Sequence, residues 1–263
     1  MAGTTRFGVV TPALNAEAYL EDTLRSIWSQ DGVEIDHVIV DGGSTDRTVE
    51  IAGGFASRVV VSTDDQGMYD AINRGMTMVE GDVVGYINAD DEIAPGAFRL
   101  VAEAFERHPE VRWLFGTVEY IDGDGKVIGR LAPLAPSLRA YLGIGWSPIP
   151  QQCVWARRSF YDEVGPFDIG FRNTGDYDWY ARALKLSRPL VLREVLGRFR
   201  LHEGQISLNL EKMERESRMV RERHGGAGRD AYLAGRLLSL RLNARNPDWF
   251  WAKRTGRISF EPR

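Results

Sequence analysis

The sequence predicts an α/β protein: a mainly parallel sheet with helices on both faces, extended by helices at the C-terminus. Three observations carry this. Short apolar segments alternate with amphipathic ones through the first hundred residues. Those apolar segments read as continuous hydrophobic runs, as strands covered on both faces do. The last fifty residues then carry two long helical patterns separated by Gly225-Gly226-Ala227-Gly228.

The elements follow in order. Phe7 to Thr11 reads as a strand. Ala16 to Gln30 reads as a helix with Tyr19, Leu20, Leu24, Ile27 and Trp28 on one face. His37 to Val40 is a strand ending on Asp41, and Asp46 to Phe55 a helix with Ser44 or Thr45 as its cap. Arg58 to Ser62, then Met68 to Glu80, then Val83 to Ile87 give strand, helix and strand, the last ending at Asn88. Pro95 to Arg107 is a helix with proline in its first turn. Trp113 to Tyr120 and Lys126 to Leu131 read as strands around an Asp-Gly-Asp-Gly turn, and Ala132 to Pro150 as a loop. Asp176 to Leu186 is helical, Leu190 to Leu201 a strand, and Glu211 to His224 and Asp230 to Asn243 are helices.

The 263 residues are 43% hydrophobic and 27% charged, the profile of a chain that buries a core. A single cysteine, Cys153, excludes an internal disulfide framework and suits a cytoplasmic setting. The N-terminus runs straight into a strand, so no leader is expected, and no apolar run reaches the ~20 residues that span a bilayer. The net charge of −4 is uneven. Residues 211–263 hold 13 Lys and Arg against 7 Asp and Glu, which leaves the rest at −10. An acidic body argues against nucleic acid and suits carboxylates that hold a cation.

Three segments carry chemistry. In open α/β sheets, ligands bind beyond the C-terminal strand ends. Asn88-Ala89-Asp90-Asp91 stands at one such end, where carboxylates hold a hard divalent cation or else cap the next helix. Asp41-Gly42-Gly43-Ser44-Thr45-Asp46 stands at another, as a ligand loop or a tight turn. In Asp65 to Gly75, Gly67 lets the chain turn into a helix whose Tyr69 and Asn73 share a face. That Asn is satisfied structurally or orders the ligand loop.

Together with Thr11-Pro12-Ala13-Leu14-Asn15-Ala16-Glu17 and Ser26 to Gln30, these motifs resemble family 2 glycosyltransferases in order and spacing. The resemblance is strong from Phe7 to about Arg107 and looser to about Ser207. It implies the GT-A fold, with residues 1–107 as the donor-binding half, 108–210 as the acceptor half of the same domain and 211–263 as a helical extension. It also implies an inverting transfer of a sugar from a UDP-, GDP- or dTDP-sugar to a saccharide, lipid-linked or small-molecule acceptor, in polysaccharide or glycolipid synthesis.

By the same resemblance Thr11, Pro12, Asn15, Glu17, Asp41, Asp65, Asn73, Asn88 and Ala89 serve the donor, with Asp41 toward the base. Asn88-Ala89-Asp90 occupies the DxD position with its first acid replaced by Asn88. Asp90 is then the ligand to Mn²⁺ or Mg²⁺, with His202 in the late loop Arg198 to Ser207 as a second. Thr174-Gly175-Asp176-Tyr177-Asp178 resembles the acceptor-side ED motif with Gly175 in place of Glu, which makes Asp176 the general base. Gln152 and Arg158 fall on the acceptor side.

Competing functions make other demands. A sugar nucleotidyltransferase needs a basic, glycine-rich loop after the first strand, and Thr11 to Glu17 has neither Gly nor Lys nor Arg. A NAD-type dehydrogenase needs G-x-G-x-x-G there. A non-catalytic sugar-nucleotide-binding module would explain Asn88 and Gly175, but not the retained Asp90 and Asp176. The basic extension, with Arg215, Arg218 and Arg221 on one helix side and Trp249, Phe250 and Trp251 before Lys253 and Arg254, suits a peripheral membrane contact. The alternative is that its aromatics fold back onto the core or into a homodimer.

Overall fold

The computed structural model describes residues 4–62, 64–203, 205, 210–226, 228–255 and 258. Gly204, Ile206 and Ser207 of the late loop, and most of the chain beyond Thr255, lie outside them. The elements run β1 (Arg6–Ala13), α1 (Leu20–Trp28), β2 (Glu34–Asp41), α2 (Thr48–Gly53), β3 (Arg58–Val61), α3 (Met68–Met78), β4 (Val83–Tyr86), β5 (Glu92–Ile93), α4 (Ala97–Arg107), β6 (Trp113–Ile121) and β7 (Val127–Leu131). Then follow α5 (Leu138–Ile144), a 3-10 turn (Gln151–Cys153), β8 (Trp155–Arg157), α6 (Arg158–Val164), α7 (Gly175–Leu186), β9 (Leu190–Arg200), α8 (Leu210–Arg223), α9 (Arg229–Arg245) and α10 (Pro247–Arg254).

One sheet has the order β3-β2-β1-β4-β8-β6-β9-β5, with β7 on β6. Strands β3, β2, β1 and β4 are parallel, and so are β6 and β9; β8 joins the two groups through antiparallel pairs. The register puts Ala13 opposite Asp41 and Val10 opposite Tyr86, so the ends of β1, β2 and β4 open on one edge. The central strands β1 and β4 are buried along almost their whole length, as parallel strands covered by helices on both faces are, and the edge strand β3 is partly exposed. One face packs Phe7, Phe98 and Trp155, with Phe7 and Phe98 stacked at 4.4 Å. The other packs Trp113, Phe160, Phe167, Trp179 and Tyr180 under α6 and α7.

Two expectations change. Residues 132–150 contain the helix α5, capped by Ser137, whose hydroxyl accepts from the Ala140 amide at 3.2 Å. Glycine permits it: a Cβ on Gly143 would lie 1.6 Å from the Ala231 carbonyl oxygen of α9, and one on Gly235 would strike the Gly143 carbonyl. The two backbones cross in contact, and that crossing orders the segment. Pro95 lies before α4 rather than in its first turn; Gly96 (φ 72°) intervenes.

The extension docks along its length. Glu216, Ser217 and Val220 of α8 and Leu238 and Leu242 of α9 are buried, and α10 packs on β7 with Trp249 5% exposed. Trp249 is therefore folded onto the core. Large apolar residues turned outward include Leu210 and Met219 of α8, Tyr232, Leu233, Leu237 and Leu240 of α9 and Trp251 of α10. No helix among the described residues is long and apolar enough to cross a membrane.

Candidate active site

A cleft of about 1580 Å³ runs along the C-terminal strand edge. It is lined by Pro12, Asn15, Asp65, Asn88, Ala89, Asp90, Gln152, Asp176 and His202, which stand far apart in sequence. β4 ends at Tyr86, and two residues on the chain delivers Asn88, Ala89 and Asp90 to the cleft floor.

Asp90 Oδ2 lies 3.0 Å from His202 Nε2, and His202 Nδ1 lies 2.8 Å from the Glu203 carbonyl oxygen. The hydrogen bond to Asp90 pushes the His202 pKa up, against its partial burial. Asn88 Nδ2 donates weakly to Gln151 Oε1 at 3.4 Å, whereas Asn88 Oδ1 is buried and has no hydrogen-bond partner among the described residues. Buried acceptors are rarely left unpaired without a functional reason. The Asp90 carbonyl accepts from Arg200 Nε at 3.0 Å. Arg200 is 1% exposed, pairs with Asp22 and Glu92 and lies over the Tyr19 ring, so the turn holding Asp90 is fixed from behind. Asp91 turns inward, its Oδ1 accepting from the Arg200 amide. Burial, then the neighbouring Asp90, push its carboxyl well above the carboxylate range. Neither acid caps α4, which has no side-chain cap.

These donors fit a divalent cation. A carboxylate oxygen and an imidazole nitrogen converge with an orphaned amide oxygen close by. Among the described residues no group of three or more His, Cys, Asp and Glu is placed to hold a metal ion.

Across the cleft, Asp176 opens α7. Burial pushes its pKa up to about 6, against hydrogen bonds from the Tyr177 amide (2.8 Å) and the Tyr69 hydroxyl (3.2 Å). Asp176 thus takes one first-turn amide of its own helix, and Glu216 of α8 holds the chain at the N-cap: its carboxylate accepts from the Asn173 and Thr174 amides at 2.8 and 3.1 Å and from the Asn173 amide side chain at 2.8 Å.

Five expected site residues stand elsewhere. Thr11 is fully buried, its hydroxyl 3.0 Å from Nε2 of His37, whose pKa burial lowers to about 3. Asp41 is fully buried and spends both oxygens on its own turn, accepting from the Gly43 and Ser44 amides and the Ser44 hydroxyl. Glu17 is exposed and accepts from the Arg47 amide. Asn73 clamps the Phe167 backbone, donating to its carbonyl at 2.8 Å and accepting from its amide at 2.9 Å. Arg158 donates to the Met76 and Val79 carbonyls and closes the end of α3. Each is consumed by the scaffold. Nor do Ser44 or Thr45 cap α2; Asp46 accepts from the Thr48 amide.

Others line the cleft that sequence reasoning had not singled out. The Arg172 guanidinium covers Gly67 (φ 112°), where a Cβ would lie 2.5 Å from Nη1, and it has no ion-pair or hydrogen-bond partner among the described residues. Trp146 follows Gly145, the left-handed end of α5. The signal for Arg172 was its place four residues before Asp176; nothing local marked Trp146.

Comparison with known proteins places this architecture. The model of "Glycosyl transferase family 2" matches residues 8–165. A "PGL/p-HBAD biosynthesis glycosyltransferase" of Mycobacterium bovis (strain BCG / Pasteur 1173P2) is 30% identical over 187 residues, 67% of this chain and 68% of the relative. S. aureus TarS 1-349 in complex with UDP-GlcNAc superposes with TM-score 0.63 and 20% identity over 82% of this chain and 66% of that one. Glucosyl-3-phosphoglycerate synthase from Mycobacterium tuberculosis, in complex with Mn²⁺, UDP and glucosyl-3-phosphoglycerate, does so with TM-score 0.59 and 23% identity over 86% and 82%. The fold is the GT-A fold expected from the motifs, and the chain belongs to glycosyl transferase family 2.

Proposed function

We propose that this glycosyltransferase moves a sugar from a nucleoside diphosphate donor to an acceptor hydroxyl with inversion, assisted by Mn²⁺ or Mg²⁺. The observation that carries this reading is one cleft with an Asp90–His202 pair beside an orphaned Asn88 oxygen on one side and a half-buried, raised-pKa Asp176 on the other. Asp90 and His202, with Asn88, would hold the cation, which when bound neutralises charge on the departing diphosphate. The two complexes named above hold UDP-GlcNAc, and Mn²⁺ with UDP, and so support it by likeness of fold.

The step is a single displacement. The acceptor oxygen bonds to the anomeric carbon as the bond from that carbon to the phosphate oxygen breaks. Asp176 takes the acceptor proton, and the nucleoside diphosphate leaves with the bonding pair. Tyr69, kept protonated by burial, donates to Asp176 Oδ1 and orients the carboxylate. Arg172 adds fixed positive charge on the donor side, beside Asp65 to Gly67. Asp65 faces the cleft next to Gly42, and its Oδ1 accepts from the Gly67 amide. It takes the base- or ribose-reading role expected of Asp41. Residues 1–107 serve chiefly the donor, joined there by Arg172 and His202, and the rest of 108–210 serves the acceptor, in a cytoplasmic setting. The outward stripe of α9 supports a membrane or subunit contact through the extension.

The test is release of nucleoside diphosphate from a panel of UDP-, GDP- and dTDP-sugars with Mn²⁺, with the product anomer read by NMR. Release that is indifferent to a chelator, or a product that retains configuration, would overturn the reading.

A further inference from the structure

The cleft does not end at Asp90 and Asp176. Asn88 reaches Gln151, and the neighbouring Gln152 backbone lies under Gly197 of β9, which pairs with Val118 of β6. Two residues on, Tyr120 and Phe199 meet edge to face at 5.9 Å. Beyond them the wall is Trp249 of α10, with Trp146 stacked on it at 6.2 Å and 28° and Ile258 alongside. Lys253 sits over both indoles, 4.8 Å from the Trp249 centroid and 5.9 Å from that of Trp146, which pins the pair. Trp249 is buried, but Trp146 stays 37% exposed at the mouth of this arm.

We infer that this arm, walled by Val118, Phe199, Trp249 and Trp146, holds an apolar aglycone on the acceptor, stacked on Trp146. The inference rests on reading the cleft as the sugar-transfer site. The polar donors and acceptors crowd the end at Asn15, Asp65, Asn88 and Asp90, whereas this arm is mainly ring faces and methyl groups, with Lys253 and Arg254 as its cations and the Lys253 ammonium held against the indoles. A second sugar seated there would find few partners for the hydroxyls it buries against Val118, Phe199 and Trp249, which is costly. An aryl or alkyl group loses nothing and gains aromatic contact. The arm is continuous with the site of transfer, so the group it holds belongs to the molecule that brings the hydroxyl.

The experiment measures binding of methyl, phenyl and octyl pyranosides, in gluco, galacto, manno and rhamno series, to the full chain carrying Mn²⁺ and a nucleoside diphosphate. Phenyl or octyl glycosides should bind at least about tenfold more tightly than methyl glycosides of the same sugar. Saturation-transfer NMR should show the aglycone protons closest to protein. The phenyl and octyl arms separate an arene from an alkyl chain. Trp146→Ala should abolish the preference while nucleotide affinity stays within about twofold, and Trp146→Phe should restore part of it. Equal affinity for methyl and apolar glycosides in the wild type, which needs no variant to fold, would overturn the assignment, as would an unchanged preference in both variants. Nucleotide binding without aglycone preference sinks this inference alone; absence of nucleotide binding sinks the functional reading beneath it.

Discussion

At the scale of the residue, the site separates acids by environment. Asp176 is half-buried beside aromatic rings, and desolvation pushes its pKa up to about 6, so turnover should rise about tenfold per pH unit below 6 and level off above. Asp176→Asn should cut turnover by about 10²–10⁴-fold with nucleotide affinity nearly intact. Its stability effect has the opposite sense. A carboxyl whose pKa rises on folding opposes folding once ionised, so the variant should melt no lower than wild type at pH 8. Any gain should vanish below about pH 4, where both states are protonated; a marked loss of stability at pH 8 would contradict it. Asp65 and Asp41 make a second contrast. Asp65→Ala should weaken nucleoside diphosphate binding about tenfold or more with little change in Tm. Asp41→Ala should lower Tm, because the Gly43 and Ser44 amides lose their acceptor. Calorimetry and melting on both variants decide it, and the reverse pattern would return the base contact to Asp41.

At the scale of the element, the catalytic helix depends on the extension. α7 has no side-chain cap of its own, and Glu216 of α8 supplies one across 42 residues. The end of that helix grips α7 again where Arg223 and the following His224 meet the buried Asp178, at 3.3 and 2.9 Å. α8 therefore sets the height and tilt of Asp176. Glu216→Ala should cost about 1–3 kcal/mol of stability, the scale of losing a cap and stranding buried amides. Turnover measured well below Tm should fall more than nucleotide affinity, and Glu216→Gln, which keeps one acceptor oxygen, should recover part of both. Full turnover in Glu216→Ala would show that α7 holds its place without α8.

At the scale of the whole molecule, the donor site joins β1, β2, β4 and the late loop after β9, so its occupation should stabilise the fold as one body. Nucleoside diphosphate with Mn²⁺ at about a hundred times its Kd should add about 2.7 kcal/mol, which raises Tm by roughly 5–10 °C for a chain of this size. With a chelator the shift should largely disappear, and Asp90→Ala should reproduce that loss with the metal present. Equal shifts with and without metal would remove the cation from the site.

The sequence by itself determined the β–α alternation, because runs of Val and Ile and the spacing of Leu20, Leu24 and Ile27 are local patterns. It also brought Asn88 to Asp90 to a strand end, since an acid directly after a buried run has nowhere else to go. What a side chain does there was decided in three dimensions. Asp41 and Thr11 carry the motif, yet they turn into their own loop and toward His37. Arg158 and Asn73 close α3 and the Phe167 backbone, contacts 94 residues apart in the second case. Helix α5 exists because Gly143 meets Gly235, and Trp249 joins the cleft wall because α10 folds back on β7. Local periodicity encodes which face of an element is apolar. Only tertiary packing assigns each polar atom its partner, and in the cleft it leaves Asn88 Oδ1 without one.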